Sequence, residues 1–238
     1  MSIKQDAEPR GRFSVVIPTL NAAKTLHATL ESLVPGIDSG LVGEVLIADG
    51  GSMDPTWKIA LEFGAGGVNA ATGRGAQLAA GAKAAACPWL MFLHADTVLE
   101  PGWESEAERF VSDTANRVRA AVFRFAVNDP SDEARRLERV VRWRNRVLHL
   151  PYGDQGLLIN REFYRHIGGI RPLPLMEDVD LVRRLGRRRL AFFKAAATTS
   201  AGRFRADGYL RRSTRNLFCL ALYFLHVPPR LIARIYYG

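Results

Sequence analysis

Cysteine is scarce in this 238-residue chain: two thiols, Cys87 and Cys219, lie in apolar surroundings, far apart and with no CxxC spacing. A disulfide framework and a cysteine-built zinc site are thereby excluded, and the pair reads as buried free thiols of a reducing compartment. Long apolar runs are missing as well. The nearest, Leu217 to Val227, is about half the length of a bilayer span and ends in Pro228-Pro229. The first twelve residues, MSIKQDAEPRGR, are polar and hold no apolar core of a secretory signal. A flexible tail over 1–12 and a cytoplasmic protein are therefore expected. The glycines form no GxGxxG, which removes support for a dinucleotide site, and no repeat or low-complexity linker interrupts the chain. Acidic residues are in the minority, 24 Asp and Glu against 33 Lys and Arg, for a net charge of +9. That imbalance calls for an anionic partner: a nucleotide, a nucleic acid or an anionic membrane.

What the chain does have is the stretch Trp89 to Thr97, WLMFLHADT. Trp89 to Leu93 is an unbroken apolar run, the pattern of a strand buried on both faces of a parallel sheet. Asp96 then falls at its carboxyl end, where open α/β sheets place their ligands. A hard carboxylate beside an imidazole suits Mg²⁺ or Mn²⁺ holding a phosphate; the competing reading of Asp96 is a cap on the next turn.

Similar units surround it. Phe13 to Ile17 reads as a strand stopped by Pro18, after which Thr19 or Asn21 caps a helix running to about Val34. Glu44 to Ala48 is a second strand delivering Asp49, and Ser52 or Asp54 caps a helix that opens with Pro55. Val68 to Ala71 is a short third strand, followed by Gly73-Arg74-Gly75 and an alanine-rich helix over about 76–86. The first hundred residues thus read βαβαβαβ, which implies an α/β fold with a Rossmann-like, mostly parallel central sheet and helices on both faces. Further on come a helix over 101–113, a strand over 120–127 and a basic amphipathic helix over 131–150. A glycine-rich turn follows at 152–156, then a helix opened by EDVDL at 177–181 and a last strand over 190–198. The main domain is drawn at 13–200, with a basic, aromatic, helical extension over 201–238.

Four motifs, VVIPTLN at 15–21, ADGGSMDPT at 48–56, HAD at 94–96 and EDVDL at 177–181, together resemble the family 2 glycosyltransferases of the GT-A fold. The resemblance covers residues 13 to about 200. It implies that the turn with Pro18, Thr19 and Asn21 holds a nucleotide base and ribose, with Ala22 where the family often has Glu. Asp49 would accept hydrogen bonds from uracil or ribose, with Gly50 replacing the family's second Asp, while Ser52 and Asp54 cap a helix. Arg74 matches a basic residue near the donor's base or diphosphate. HAD resembles the Asp-x-Asp metal motif with His94 in place of the first Asp; Ala95 is its middle residue and Asp96 the metal ligand. His94 is a weak ligand, a phosphate donor or a structural partner. In EDVDL the resemblance implies a base that deprotonates the acceptor hydroxyl, Asp178 first and Glu177 as the alternative. Asp154 or Gln155 would line the acceptor side.

The implied activity is an inverting, metal-dependent transfer of one sugar from a nucleotide-diphospho-sugar, a UDP-sugar favoured, to the hydroxyl of a small-molecule or lipid-like acceptor. The Gln-x-x-Arg-Trp motif of processive polymerases is absent after residue 181, which favours a single transfer. Arg203 or Arg205 is placed to close over the donor diphosphate. The arginines of 131–150 and of the tail, interleaved with Trp143, Phe218, Tyr223, Phe224, Tyr236 and Tyr237, suit peripheral contact with an anionic inner membrane face. A solvated helix face plus core aromatics is the plainer account. The rival functions are a sugar-nucleotide nucleotidyltransferase, whose usual GxGxR loop is replaced here by PTLNAAK, and a non-catalytic nucleotide- or anion-binding protein. Nucleic acid is not expected, since no RNA- or DNA-binding motif is present and the acidic strand ends would repel phosphate without a metal.

Overall fold

Residues 11–237 are described by a computed structural model, so the tail expected over 1–12 lies outside it apart from Gly11 and Arg12. The β-branched and aromatic runs form β1 (Phe13–Thr19), β2 (Val42–Asp49), β3 (Gly66–Asn69), β4 (Trp89–Phe92), β5 (Thr97–Leu99), β6 (Ala120–Val127), β7 (Leu157–Asn160) and β8 (Leu190–Thr199). They make one sheet in the order β3-β2-β1-β4-β7-β6-β8-β5. β1 pairs in parallel with β2 and β4, β2 with β3, and β6 with β8. β7 runs antiparallel to both β4 and β6, and β5 antiparallel to β8. The mostly parallel sheet matches the alternating pattern of the sequence. The short β5 was hidden behind the HAD turn, because three residues carry no usable periodicity.

The helices are α1 (Leu26–Glu31), α2 (Val34–Asp38), α3 (Thr56–Glu62), α4 (Arg74–Ala84), α5 (Trp103–Ser112), α6 (Asp132–Leu148), α7 (Arg161–His166), α8 (Glu177–Leu185), α9 (Gly202–Asp207), α10 (Tyr209–Phe224) and α11 (Pro229–Tyr237). Alternate residues of the central strands feed opposite cores. Val15, Ile17, Ile47, Met91 and Leu93 pack with Leu26, Leu30 and Trp103 of α1 and α5. Val16, Leu46, Leu90 and Phe92 pack with Leu78 of α4, Val179 and Val182 of α8, and Cys219 and Ile232 of α10 and α11. Both cysteines are buried and unpaired.

Three local expectations are corrected. Pro18 does not stop β1, which continues to Thr19. Pairing with β4 ends at Val16, so the missing proline donor falls where β1 has only β2 beside it, a position that tolerates proline. Neither Thr19 nor Asn21 caps a helix: α1 begins at Leu26 with no side-chain cap, and Asn21 instead adopts a left-handed φ of 53°. Its side chain accepts from the Met53 amide, and its own amide donates to Ser52 Oγ, so tertiary bonds between the two loops outcompete the local cap. Ser52 and Asp54 serve the same bracing. Asp54 accepts from the amides of both Thr56 and Ala23, while α3 itself begins at Thr56 after Pro55, with no side-chain cap at its N-cap position.

Leu90 is fully buried at the centre of the sheet. Leu90→Ala is expected to cost about 2–5 kcal/mol through lost transfer energy and the cavity left behind. A fall in the denaturation midpoint at unchanged slope is the corresponding readout.

Candidate active site

The direction of each strand decides what meets at the upper rim. The carboxyl ends of β1, β2, β4 and β8 lie there, and so does the entry to the reversed β7, because Leu157 pairs with Phe92. A cleft of about 500 Å³ opens at this rim. Pro18, Thr19, Asn21, Arg74, His94, Ala95, Asp96, Asp154, Glu177 and Asp178 all line it. These residues come from five separated parts of the chain.

Asp49 and Gln155 do not line it. Asp49 is buried, and its two oxygens receive Thr19 Oγ1 at 2.7 Å, Ser52 Oγ at 2.5 Å, the Ser52 amide at 2.7 Å and the Gly51 amide at 2.9 Å. Burial alone would raise its pKa; the bonds from Ser52, Thr19 and Gly51 outweigh that and hold the carboxyl below its ordinary range. Its four acceptor positions are spent on the turn that presents Thr19. Gln155 is fully buried, donating to the Phe123 carbonyl and accepting from Asn145. It anchors the loop that exposes Asp154.

Arg74 is the first residue of α4 and Glu177 the first of α8. Their side chains approach to 3.4 Å between Nε and Oε1, with Glu177 buried and Arg74 half-buried. Gly75 permits this approach: a Cβ there would stand 2.8 Å from the Arg171 carbonyl and 2.9 Å from that of Leu173. Met176 takes a left-handed φ of 66°, a turn that costs an ordinary residue about 1–2 kcal/mol and starts α8 at the rim. Burial raises the Glu177 pKa to about 7, with Arg74 opposing and Asp178 adding to the shift. Burial would lower the pKa of Arg74, but the carboxylates of Glu177 and Asp178 raise it, so its charge is permanent.

Asp178 is half-buried and faces the cleft, with Oδ2 accepting the Gly153 amide at 2.7 Å. A Cβ at Gly153 would lie 2.9 Å from His94 Nε2 and 3.4 Å from Asp178 Oδ2, so this loop, His94 and Asp178 are packed together. Burial, then the cations of Arg74 and Arg203, hold the His94 pKa well below its ordinary value. The ring is neutral, and its buried Nε2 has no hydrogen-bond partner. Burial likewise raises Asp154 to about 6, and its Oδ1 is also unpartnered. Asp96 is half-buried in the cleft, its carbonyl accepting the Ser200 amide that follows β8.

Among the described residues no three His, Cys, Asp or Glu side chains cluster to hold a metal on their own. The donor set at the rim nevertheless fits a hard divalent cation shared with phosphate oxygens: one accessible carboxylate, Asp96, near a neutral imidazole with a free nitrogen. Arg203 lines the cleft, whereas Arg205 pairs with Asp129. Several cleft residues escaped the sequence reading. Gln77 is buried on α4 and donates to the carbonyls of Thr19 and Ala48, tying the ends of β1 and β2 together. A lone amide in an alanine-rich helix was the available signal. Tyr152, Arg212, Asn216 and Tyr236 also line the cleft, the last three from α10 and α11, whose path over the rim no local pattern encodes.

Comparison with known proteins agrees with this architecture. A family model, Glycosyl transferase family 2, matches residues 14–172. A PGL/p-HBAD biosynthesis glycosyltransferase of Mycobacterium tuberculosis is 34% identical over 133 residues, covering 50% of this chain and 44% of the relative. The same figures hold for its counterpart in Mycobacterium bovis. The chain therefore spans less than half the length of these curated relatives. Among solved structures, S. aureus TarS 1-349 superposes with a TM-score of 0.63 at 14% identity, covering 94% of this chain and 69% of that one. Glucosyl-3-phosphoglycerate synthase from Mycobacterium tuberculosis, in complex with Mn²⁺, UDP and glucosyl-3-phosphoglycerate, gives 0.56 at 20% identity, covering 92% and 81%. These two likenesses concern the fold.

The raised Glu177 carboxyl predicts a pH effect of definite sign. The folded state binds its proton more tightly than the unfolded chain does, so stability falls as pH rises from the ordinary 4.5 toward about 7. Glu177→Gln should flatten that part of the stability–pH curve. Urea titrations of both proteins across this range test it, and parallel curves would contradict the assignment.

Proposed function

The chain belongs to glycosyl transferase family 2, and from that premise we propose that it transfers one sugar from a nucleotide-diphospho-sugar to an acceptor hydroxyl, with inversion at the anomeric carbon. A UDP-sugar is the favoured donor and a small-molecule or lipid-like alcohol the acceptor. The observation that carries this reading is the convergence of Arg74, Asp96 and Asp178, from α4, the end of β4 and α8, on one 500 Å³ cleft. That a protein of like fold was crystallised with Mn²⁺ and UDP supports the choice of donor and cofactor.

Placement supports each role. Pro18, Thr19 and Asn21 form the turn that receives the base and ribose, stiffened from below by Asp49 and Gln77. Arg74 and Arg203 offer the diphosphate two cations. Asp96, with His94 Nε2, would hold Mg²⁺ or Mn²⁺, which when bound neutralises charge on the leaving diphosphate. Asp178 is the base. It reaches the cleft, and its geometry is fixed by the Gly153 amide. Glu177 is buried against Arg74 and acts by positioning that cation. Asp154, held at the mouth of the β7 loop, faces the acceptor side. In the transfer, Asp178 takes the hydroxyl proton as the acceptor oxygen bonds to the anomeric carbon, and the carbon–oxygen bond to the diphosphate breaks on the opposite face. No covalent sugar–enzyme intermediate is formed, so one base suffices.

Two variants separate binding from chemistry. UDP with Mn²⁺ should raise the melting temperature of the wild type, and Asp96→Ala should abolish that rise. Asp178→Asn should retain the stabilisation while slowing UDP-sugar hydrolysis by about 10²–10⁴-fold. Hydrolysis at the wild-type rate in Asp178→Asn would remove the base assignment, and stabilisation by UDP without any turnover would favour a non-catalytic nucleotide-binding protein.

A further inference from the structure

α10 is built inside out. Its inner side carries Arg212 and Asn216, which line the cleft, along with buried Cys219 and Leu220. Its outer side presents Leu210, Leu217, Phe218 and Phe224 to solvent at helical spacing, continued by Leu225 at its C-cap, with Leu217 65%, Phe218 55% and Leu225 74% exposed. A helix that merely covered a domain would show the reverse arrangement. α11 packs back on α10 through Ile232, and Arg212 bonds the Tyr236 hydroxyl. It exposes Leu231 and Ile235 interleaved with Arg230 and Arg234. α6, which also contacts α10, adds Val140, Trp143 and Val147 among exposed Arg136, Arg139, Arg142 and Arg146. No Asp or Glu occurs after Asp207.

We infer that the outer face of the α10–α11 hairpin, flanked by α6, docks on an anionic phospholipid bilayer and brings the cleft to the membrane surface. Contiguous apolar exposure of this kind marks an interaction site. The chemistry of the occupant follows from the charge. Apolar side chains seated among arginines, with no acidic residue in the hairpin, match a headgroup region of negative potential above acyl chains. A second copy of the chain fits less well, because an isologous contact would set Arg211, Arg230 and Arg234 against their own images with no carboxylate to receive them. The contact lies in the interface plane, since among the described residues no helix is long and apolar enough to cross a membrane. The docking itself is independent of the catalytic reading. Only its consequence, that the acceptor hydroxyl belongs to a membrane-held molecule, rests on that reading.

The full chain should sediment with phosphatidylcholine vesicles containing phosphatidylglycerol, far less with phosphatidylcholine alone, and less at high salt. Leu217→Ser/Phe218→Ser/Leu225→Ser, all outside the cleft, should lower the vesicle partition coefficient at least about tenfold while leaving the melting transition intact. Arg230→Gln/Arg234→Gln should remove the preference for phosphatidylglycerol and gives a second route should the triple variant not fold. Wild-type protein left in the supernatant with mixed vesicles overturns the inference. So does a triple variant that folds and binds as well as the wild type, or a wild-type dimer that the triple variant splits. UDP stabilisation measured without vesicles reports separately on the donor site, so loss of one reading does not mimic loss of the other.

Discussion

The hydrogen bond from the Gly153 amide to Asp178 joins two segments that the chain separates by a strand, a helix and a proline-rich loop. Three conditions must hold for it to form. β7 must run against β4, so that the loop entering β7 reaches the rim where β1 and β4 end. Residue 153 must lack a side chain, because a Cβ would crowd His94. α8 must begin abruptly at that level, which the left-handed Met176 achieves. Remove any one and the carboxylate, the imidazole and the loop cannot occupy the same corner. The antiparallel strand in an otherwise parallel neighbourhood is therefore what turns a set of strand ends into an open cleft.

The polar groups at and beneath that cleft fall into two tiers. The lower tier, outside the cleft lining, is spent on structure: Asp49 on the turn after β2 and on Thr19, Gln155 on the β7 loop and Asp180 on Arg171 and Arg184. Each is buried and bonded, as buried polar groups must be. The upper tier is left incomplete. His94 Nε2 and Asp154 Oδ1 lack partners, and Glu177 meets Arg74 only at 3.4 Å. Unsatisfied buried atoms carry a desolvation penalty, and those of His94, Asp154 and Glu177 sit where a polar ligand in the cleft would offset it.

The parallel sheet was legible because each central strand is an apolar run bounded by turn residues, and because a polar residue follows each one. Asp96 stands out as a carboxylate at a strand end, whereas Arg74 and Asp178 are singled out by the family resemblance of the motifs around them. Local pattern failed where a partner distant in the chain decides. Asn21 and Ser52 look like helix caps in isolation, yet they bond to each other's loops. Asp49 has the right address for a ligand contact, but Thr19, Ser52 and Gly51 claim its oxygens. Gln155 is one residue from Asp154 and points the other way, into the interior, which no composition or spacing distinguishes. The arrival of Arg212, Asn216 and Tyr236 at the rim depends on how two terminal helices fold back, and that is a matter of tertiary packing alone.

α10 has one further property. Its polar inner side is part of the cleft wall and its apolar outer side is part of the molecular surface, yet both belong to a single rod of 16 residues. Such a rod cannot be ordered on one side and loose on the other. Whatever immobilises it from within lowers the entropic cost of engaging it from without, and thermodynamic reciprocity requires the same gain in the opposite direction. Should a cleft ligand and a lipid surface both stiffen this helix, their occupancies would be coupled through it, with no relay of side chains between them.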